Sequence, residues 1–175
     1  MRDSIIGIDP GSAEKTIGIL SMDFASKAKQ NLHILYFQGR GQIAGFLPDR
    51  TPFTDDRENV RDGHYPLWGP IHLYVKLSGG QPSPAAATFI NQFSVPKPDQ
   101  SLLDATIGTG NVPLCAMKVT RDKEMGPLAS FEPAFGCGCY FEFKVNGGTT
   151  CQKCNGPAEC PTDHPACNIG YCEVQ

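Results

Sequence analysis

Residues 137–172, with the sequence CGCYFEFKVNGGTTCQKCNGPAECPTDHPACNIGYC, contain seven of the eight cysteines of this 175-residue chain. Only Cys115 lies outside this stretch. The stretch is rich in glycine and proline and has little apolar bulk, so its core is too small to fold without covalent or metal cross-links. The sequence therefore predicts a small, cross-linked, loop-dominated region at this end of the chain.

Two kinds of cross-link fit the cysteine spacing. Zinc binding needs four thiolates in tetrahedral geometry, and the CxC and CxxC pairs could supply them through Cys137, Cys139, Cys151 and Cys154. This set would leave an odd number of cysteines in the stretch unused, namely Cys160, Cys167 and Cys172. Disulfides would pair most or all of the cysteines, and they persist only in oxidising compartments. We favour disulfides, with the pairing left open. The candidates are Cys115, Cys137, Cys139, Cys151, Cys154, Cys160, Cys167 and Cys172.

Composition limits the classes of function. The chain has 15 basic and 18 acidic residues and no basic run, so we expect no nucleic-acid partner. No apolar stretch approaches the roughly 20 residues that span a bilayer. The segment after Met1 lacks the apolar run and cleavage site of a signal peptide. A disulfide-rich region nevertheless calls for export, so we expect either a metal-binding tail inside the cell or a piece of a longer exported protein.

The pattern of apolar and turn residues predicts a chain of alternating strands and helices. Residues 48–63, which are rich in charge, are typical of a solvated loop, and residues 79–84 are typical of a linker. The predicted strands are 5–9, 16–22, 32–37, 64–76 and 112–119, and the predicted helices are 23–30, 85–93 and 100–107.

One short segment resembles a metal-dependent nuclease. Residues 5–12, IIGIDPGS, are similar to the first strand of RNase H-like Holliday-junction resolvases, which implies a magnesium-binding role for Asp9. Two-metal chemistry needs several converging carboxylates. The later acidic positions of that family have no counterpart here, and Glu58 lies in the charged stretch. The alternative is that Asp9 opens a turn by accepting hydrogen bonds from the following amides.

The remaining polar residues show no catalytic arrangement. The histidines are His33, His64, His72 and His164, and none belongs to a Ser-His-Asp or Cys-His pattern with a local signature. The sequence also lacks a phosphate-binding glycine loop. We therefore expect no catalytic residue and no cofactor.

A longer pattern resembles the second half of a phosphate-type solute-binding protein. Ile17-Gly18-Ile19, Tyr65-Pro66-Leu67 and the stretch Gly110 to Leu114 occupy the places of three characteristic segments of that family. The resemblance covers residues 5–120. It implies an α/β fold, part of a type II periplasmic-binding lobe, with hinge strands near residues 17–22 and 65–75 that cross between two lobes.

The resemblance also implies a domain organisation and a location. Residues 1–125 would form the C-terminal portion of the binding protein, and residues 126–175 a disulfide-stapled tail similar to Cys-rich ends of exported myxobacterial proteins. The protein would be periplasmic or extracellular, with its signal peptide and first lobe upstream of Met1.

The same resemblance sets a limit on ligand binding. The Ser-Gly-Thr anion-binding segment of the family has no counterpart here, so no binding residue is carried over. The implied role is non-catalytic binding. A small anion such as phosphate would bind only with the missing lobe present, and a membrane permease or cell-surface protein would be the partner.

Overall fold

The computed structural model describes residues 17–174, which form short helices and three two-stranded antiparallel sheets. The helices are α1 (Met22–Lys27), α2 (Glu58–Arg61), α3 (Pro84–Ser94), α4 (Gln100–Gly108) and α5 (Gly138–Asn146). The strands are β1 (Leu77–Ser78), β2 (Gln81–Pro82), β3 (Val119–Thr120), β4 (Ala129–Ser130), β5 (Ala166–Asn168) and β6 (Tyr171–Glu173), paired in that order. Two 3₁₀ turns span Leu114–Ala116 and Pro157–Glu159.

The main hydrophobic core lies between α4, α5 and the β5–β6 hairpin. Leu103 and Ile107, one turn apart on α4, pack with Tyr140, Phe141 and Tyr171. Phe141 is the largest side chain that is almost completely enclosed. The core therefore combines residues that are far apart in sequence, and the cross-links described next join the same elements.

Four disulfides pair all eight cysteines, which confirms the predicted disulfide-rich character. The bonds are Cys115–Cys137, Cys139–Cys151, Cys154–Cys167 and Cys160–Cys172. A sulfur in a disulfide is not a thiolate, so this pairing leaves no cysteine to serve as a zinc ligand.

The predicted helices are present. The segment 85–93 lies within α3, where the Ser83 hydroxyl accepts a hydrogen bond from the backbone amide of Ala86. The segment 100–107 lies within α4, where Asp99 accepts from the amide of Ser101 at 2.8 Å. The predicted helix at 23–30 corresponds to α1, which is shorter and begins one residue earlier.

Several predicted strands are wrong. Residues 32–37 contribute only a single bridge, between Phe37 and Phe46, and residues 64–76 form no strand. Leu35 and Tyr36 are 57% and 61% exposed, so no neighbouring strand or layer covers this segment. In residues 64–76, Pro66 and Pro70 lack the N–H groups that a ladder needs.

Three other predicted segments have a different local structure from the one expected. In the segment 112–119, a 3₁₀ turn occupies Leu114–Ala116 and only Val119 belongs to a strand. The predicted linker 79–84 contains the loop and second strand of a hairpin. The predicted strand 5–9 lies outside the described residues. Of the segment 16–22, Ile17 to Ser21 are irregular and Met22 begins α1, so neither predicted hinge segment forms a crossing strand.

The division of the chain near residue 125 stays a prediction. The Cys115–Cys137 disulfide joins its two sides, and the backbone amide of Cys137 donates to the carbonyl of Cys115 at 2.9 Å. The described part of the chain is therefore a mixed helix-and-sheet structure in which the cross-linked region shares its core with α4.

Replacing Cys115 and Cys137 together by alanine should lower the free energy of unfolding. The bond closes a loop with a sequence separation of 22. Chain entropy alone then predicts a loss of about 3 kcal/mol, and the cavity left by the Cys137 sulfur adds to it. Urea unfolding followed by tryptophan fluorescence measures the change. Met125→Ala, at an exposed position, serves as the control, and a loss below about 1 kcal/mol in the double variant would contradict the prediction.

Candidate functional site

The charged stretch 48–63 folds around buried charges, so the prediction of a solvated loop is wrong. Asp49, Asp56, Arg57 and Arg61 are 2%, 3%, 4% and 3% exposed. Buried charges persist only when they are paired and hydrogen-bonded. The contacts of these four side chains therefore decide the conformation of the stretch.

Asp49 and Arg57 form the centre of this stretch. The Asp49 carboxylate accepts hydrogen bonds from the backbone amide of Arg57 at 2.9 Å and from its Nη1 at 2.6 Å. Arg57 Nη2 donates to the hydroxyl of Ser26 on α1 at 2.7 Å. Arg57 has a left-handed backbone, with φ of 49°, at the N-cap of α2. This unfavourable conformation is held by the two contacts with Asp49.

Lys29 connects the same cluster to the α1 segment. Its Nζ lies 3.3 Å from Asp49 Oδ2 and 2.8 Å from Asp55 Oδ1. Burial of Asp55 opposes its ionisation, but hydrogen bonds from Lys29 and Ser26, together with the positive charges of Lys29 and Arg57, outweigh burial and lower the pKa of Asp55. Asp55 is therefore ionised at neutral pH and completes a four-residue network of alternating charge.

Arg61 links this network to the disulfide core. Its Nε donates to the carbonyl of Ala116 at 2.8 Å, and its Nη1 donates to Glu142 Oε1 at 3.2 Å. The guanidinium also lies 5.0 Å from the ring centroid of Phe141, in cation–π contact. Arg61 thus fixes α2 against α5.

A cleft of about 870 Å³ lies between the charged stretch and α5. Its charged lining consists of Arg50, Asp55, Asp56, Glu58, Arg61 and Glu142. Four carboxylates face two guanidinium groups, so this lining repels a free anion more than it attracts one. The cleft as described does not by itself suit phosphate.

A smaller cavity of about 400 Å³ lies beside the first, and both Arg57 and Asp104 line it. Asp104 accepts a hydrogen bond from the Tyr140 hydroxyl at 2.5 Å and pairs with Lys144 at 3.1 Å. The Tyr140 hydrogen bond lowers the pKa of Asp104, while burial and the same bond raise the pKa of Tyr140. Tyr140 therefore stays protonated at neutral pH and acts as a fixed donor.

Glu173 provides the missing cap of α5. The side chain of Cys137 makes no cap hydrogen bond, and the Glu173 carboxylate accepts from the amides of Cys139 at 2.7 Å and Tyr140 at 3.4 Å instead. Burial raises the pKa of Glu173, and these amides and Arg61 only partly oppose it. A carboxylate at a helix N-terminus compensates the free amides and the helix dipole.

The sequence-predicted site residues are dispersed. The sulfurs of Cys154, Cys160 and Cys172 lie within 4.8 Å of one another, but each belongs to a disulfide. His64 stacks on Phe46 and His72 pairs with Glu124 at 2.8 Å, both at the surface. Asp9 lies outside the described residues.

The buried network of residues 49–61 was missed because charge runs are normally exposed. The only sequence signal was the opposite charge of Asp49 and Arg57, eight positions apart. The cap from Glu173 had no local signal, since 34 positions separate it from Cys139.

Comparison of the chain with protein families, with characterised proteins and with solved structures finds no match. Among residues 17–174, no helix is both long and apolar enough to cross a membrane.

Asp49→Ala should strongly destabilise the protein, because it leaves the buried Arg57 guanidinium without its main counter-charge. Removing one partner of a buried pair costs about 3–5 kcal/mol. Chemical denaturation at neutral pH measures this loss. Asp163→Ala is the matched control, since its side chain is 75% exposed, and it should change stability by less than about 0.5 kcal/mol. Equal effects of the two substitutions would refute a structural role for Asp49.

Glu173→Gln should change the pH dependence of stability. The pKa of Glu173 is raised above its ordinary 4.5 in the folded protein, so the folded state binds the proton more tightly than the unfolded state. The stabilisation that this carboxyl contributes is therefore fully present below pH 4.5 and is lost as the pH rises through the pKa of the folded state. Glutamine keeps an acceptor oxygen without the charge, so the free energy of unfolding of the variant, relative to that of the native protein, should increase from acidic to neutral pH.

Unfolding free energies at a series of pH values measure this difference. Glu173→Ala is the control: it lacks both the carboxyl and the acceptor oxygen, so it should be less stable than Glu173→Gln by about 1–3 kcal/mol at every pH. A constant difference between Glu173→Gln and the native protein from acidic to neutral pH would contradict the assignment.

Proposed function

We propose that this chain is a non-catalytic binding protein of the solute-binding type, exported to an oxidising compartment. Residues 1–125 correspond in this proposal to the C-terminal portion of a two-lobed, phosphate-type binding protein of the type II periplasmic fold. Residues 126–175 are its C-terminal region, which is cross-linked by disulfides. Two observations support the proposal: the sequence resemblance and the positions of the exposed apolar side chains in the chain.

That distribution is the observation that carries the proposal. The strongly exposed apolar side chains lie almost entirely in the part of the chain that resembles the binding-protein family. They include Ile17, Ile19, Leu35, Tyr36, Ile43, Leu67, Ile71, Leu73, Tyr74, Leu77, Phe89 and Phe93. Among the described residues beyond 125, only Phe143 and Val174 belong to this group. Exposed apolar side chains in this number indicate that another polypeptide or lobe covers part of this region.

The charge of the cleft does not by itself make an anion site, so the proposal requires donors from a companion lobe. An anion needs amide or cationic donors in excess, and here the four carboxylates outnumber the two guanidinium groups. The proposed companion lobe would supply those donors. A permease or a cell-surface protein would then receive the loaded protein.

The four disulfides are consistent with an oxidising location outside the cytoplasm. The cross-linked end serves in this proposal as a clamp: six of its cysteines pair with one another, the seventh, Cys137, pairs with Cys115, and no free thiol is left for chemistry.

The test compares this chain with the same chain extended by whatever reading frame precedes Met1. Titration calorimetry with inorganic phosphate and with sulfate should show no binding to the chain alone, and micromolar binding of one of these anions to the extended protein. The absence of a continuing upstream frame would contradict the proposal, as would an extended protein that binds neither anion.

An enzymatic result would also overturn it. Magnesium-dependent cleavage of branched DNA by the native chain, abolished in Asp9→Asn, would identify a nuclease instead. Stoichiometric zinc in the purified protein, with free thiols after chelation, would identify a metal module.

A further inference from the structure

The segment Ile71–Leu77 has the sequence pattern of a strand, and among the described residues only Leu77, in β1, has a strand partner. Its residues alternate between an apolar row, Ile71, Leu73, Val75 and Leu77, and a polar row, His72, Tyr74 and Lys76. All seven residues are exposed, with Ile71 at 69% and Tyr74 at 92%. Strict alternation is the signature of a strand with one covered face. Neither face of this segment is covered by the described residues.

The backbone of this segment is also unpaired. Within residues 17–174, no backbone hydrogen bond involves an amide or carbonyl of residues 71–76. The β1–β2 hairpin that follows cannot extend to cover them. Ser83, which would be the next residue to pair, opposite Lys76, instead caps α3, and its carbonyl accepts from the backbone amide of Ala87 at 2.9 Å.

The hairpin determines which edge is free. Gly79 and Gly80 have φ of 59° and 78°, as a two-residue type I′ loop requires. In such a hairpin the residue before the loop, Ser78, directs its amide and carbonyl toward β2. If β1 is continued backward as a strand, these groups alternate, so Leu77, Val75 and Leu73 direct theirs toward the opposite edge, where no residue of 17–174 forms a backbone hydrogen bond with residues 71–76.

Charge selects one register for pairing between two copies. In an antiparallel pair centred on Tyr74, His72 of each copy lies opposite Lys76 of the other, and neither side chain supplies a counter-charge to the other. Centring on Val75 places Tyr74 opposite Lys76, a favourable aromatic–cation pair, and Leu73 opposite Leu77. This register also makes the residues of the free edge, Leu73, Val75 and Leu77, the hydrogen-bonded ones.

We propose that the chain forms a two-fold symmetric dimer by antiparallel pairing of Ile71–Leu77 with the same segment of a second copy, with Val75 on the two-fold axis. The pairing extends each β1–β2 hairpin into one four-stranded sheet and places the two apolar rows side by side on one face. An isologous interface needs a surface that complements itself, and an alternating strand with one free edge is such a surface. The inference uses part of the exposed apolar set on which the proposed function rests, namely Ile71, Leu73, Tyr74 and Leu77, but its test needs neither a solute nor a companion lobe.

Sedimentation velocity of the disulfide-intact native chain over a range of concentrations tests the proposal. We expect a reversible monomer–dimer equilibrium. Val75→Glu places two carboxylates opposite each other at the two-fold axis, so it should weaken the dimer at least tenfold. Tyr74→Glu is the matched control: the neighbouring residue is equally accessible, and its carboxylate would face Lys76 of the other copy. This variant should dimerise as well as the native chain or better, with the gain lost at high salt.

Hydrogen exchange gives a second readout that does not depend on any variant. The amides of Leu73, Val75 and Leu77 should become protected as the concentration rises, while those of His72, Tyr74 and Lys76 should not. A native chain that stays monomeric at all concentrations would overturn the proposal. So would equal dimerisation of the native chain and a folded Val75→Glu variant, or protection that is independent of concentration.

Discussion

The Cys115–Cys137 disulfide is the constraint on which the rest of the structure depends. Cys137 is fully buried and lies at the N-cap of α5, and its partner lies in the 3₁₀ turn after α4. The bond therefore fixes α4 and α5 side by side, and Leu103, Ile107 and Phe141 form a core between them. The other three disulfides tie the end of the chain back onto α5 and onto the β5–β6 hairpin. Without them this end has too few apolar residues to remain folded.

A second constraint is electrostatic and acts through Arg61. This side chain connects the carbonyl of Ala116, the carboxylate of Glu142 and the ring of Phe141, so the charged stretch is attached to the covalent core. Asp49 and Arg57 then organise the stretch internally. Buried pairs of this kind contribute little net stability, but a misfolded arrangement that separates them is strongly penalised. Their effect is to specify one conformation for a segment that has almost no apolar residues.

The two halves of the described chain differ in how completely they cover their apolar residues. The cross-linked end encloses its few large side chains, whereas the earlier segments leave isoleucine, leucine and aromatic side chains in solvent. Such surface is costly in an isolated protein, because burying it would gain about 25 cal/mol per Å². An additional polypeptide surface relieves this cost. A companion lobe and a second copy of the chain are two such surfaces, and they are separable because only the first bears on solute binding.

The sequence by itself determined the features that depend on local chemistry. The density of cysteines in residues 137–172 required cross-links, and the caps Ser83 and Asp99 with the apolar spacing behind them specified α3 and α4. Local pattern could not determine whether the apolar runs at 32–37 and 64–76 become strands, because a strand exists only when a neighbour accepts its hydrogen bonds. It could not determine the disulfide pairing either, or show that Glu173 caps a helix 34 positions away. The charged residues 49–61 are the clearest case: Asp49 and Arg57 pair within the stretch, but the burial of this pair and the contact of Arg61 with Glu142 arise only when α1, α2 and α5 come together.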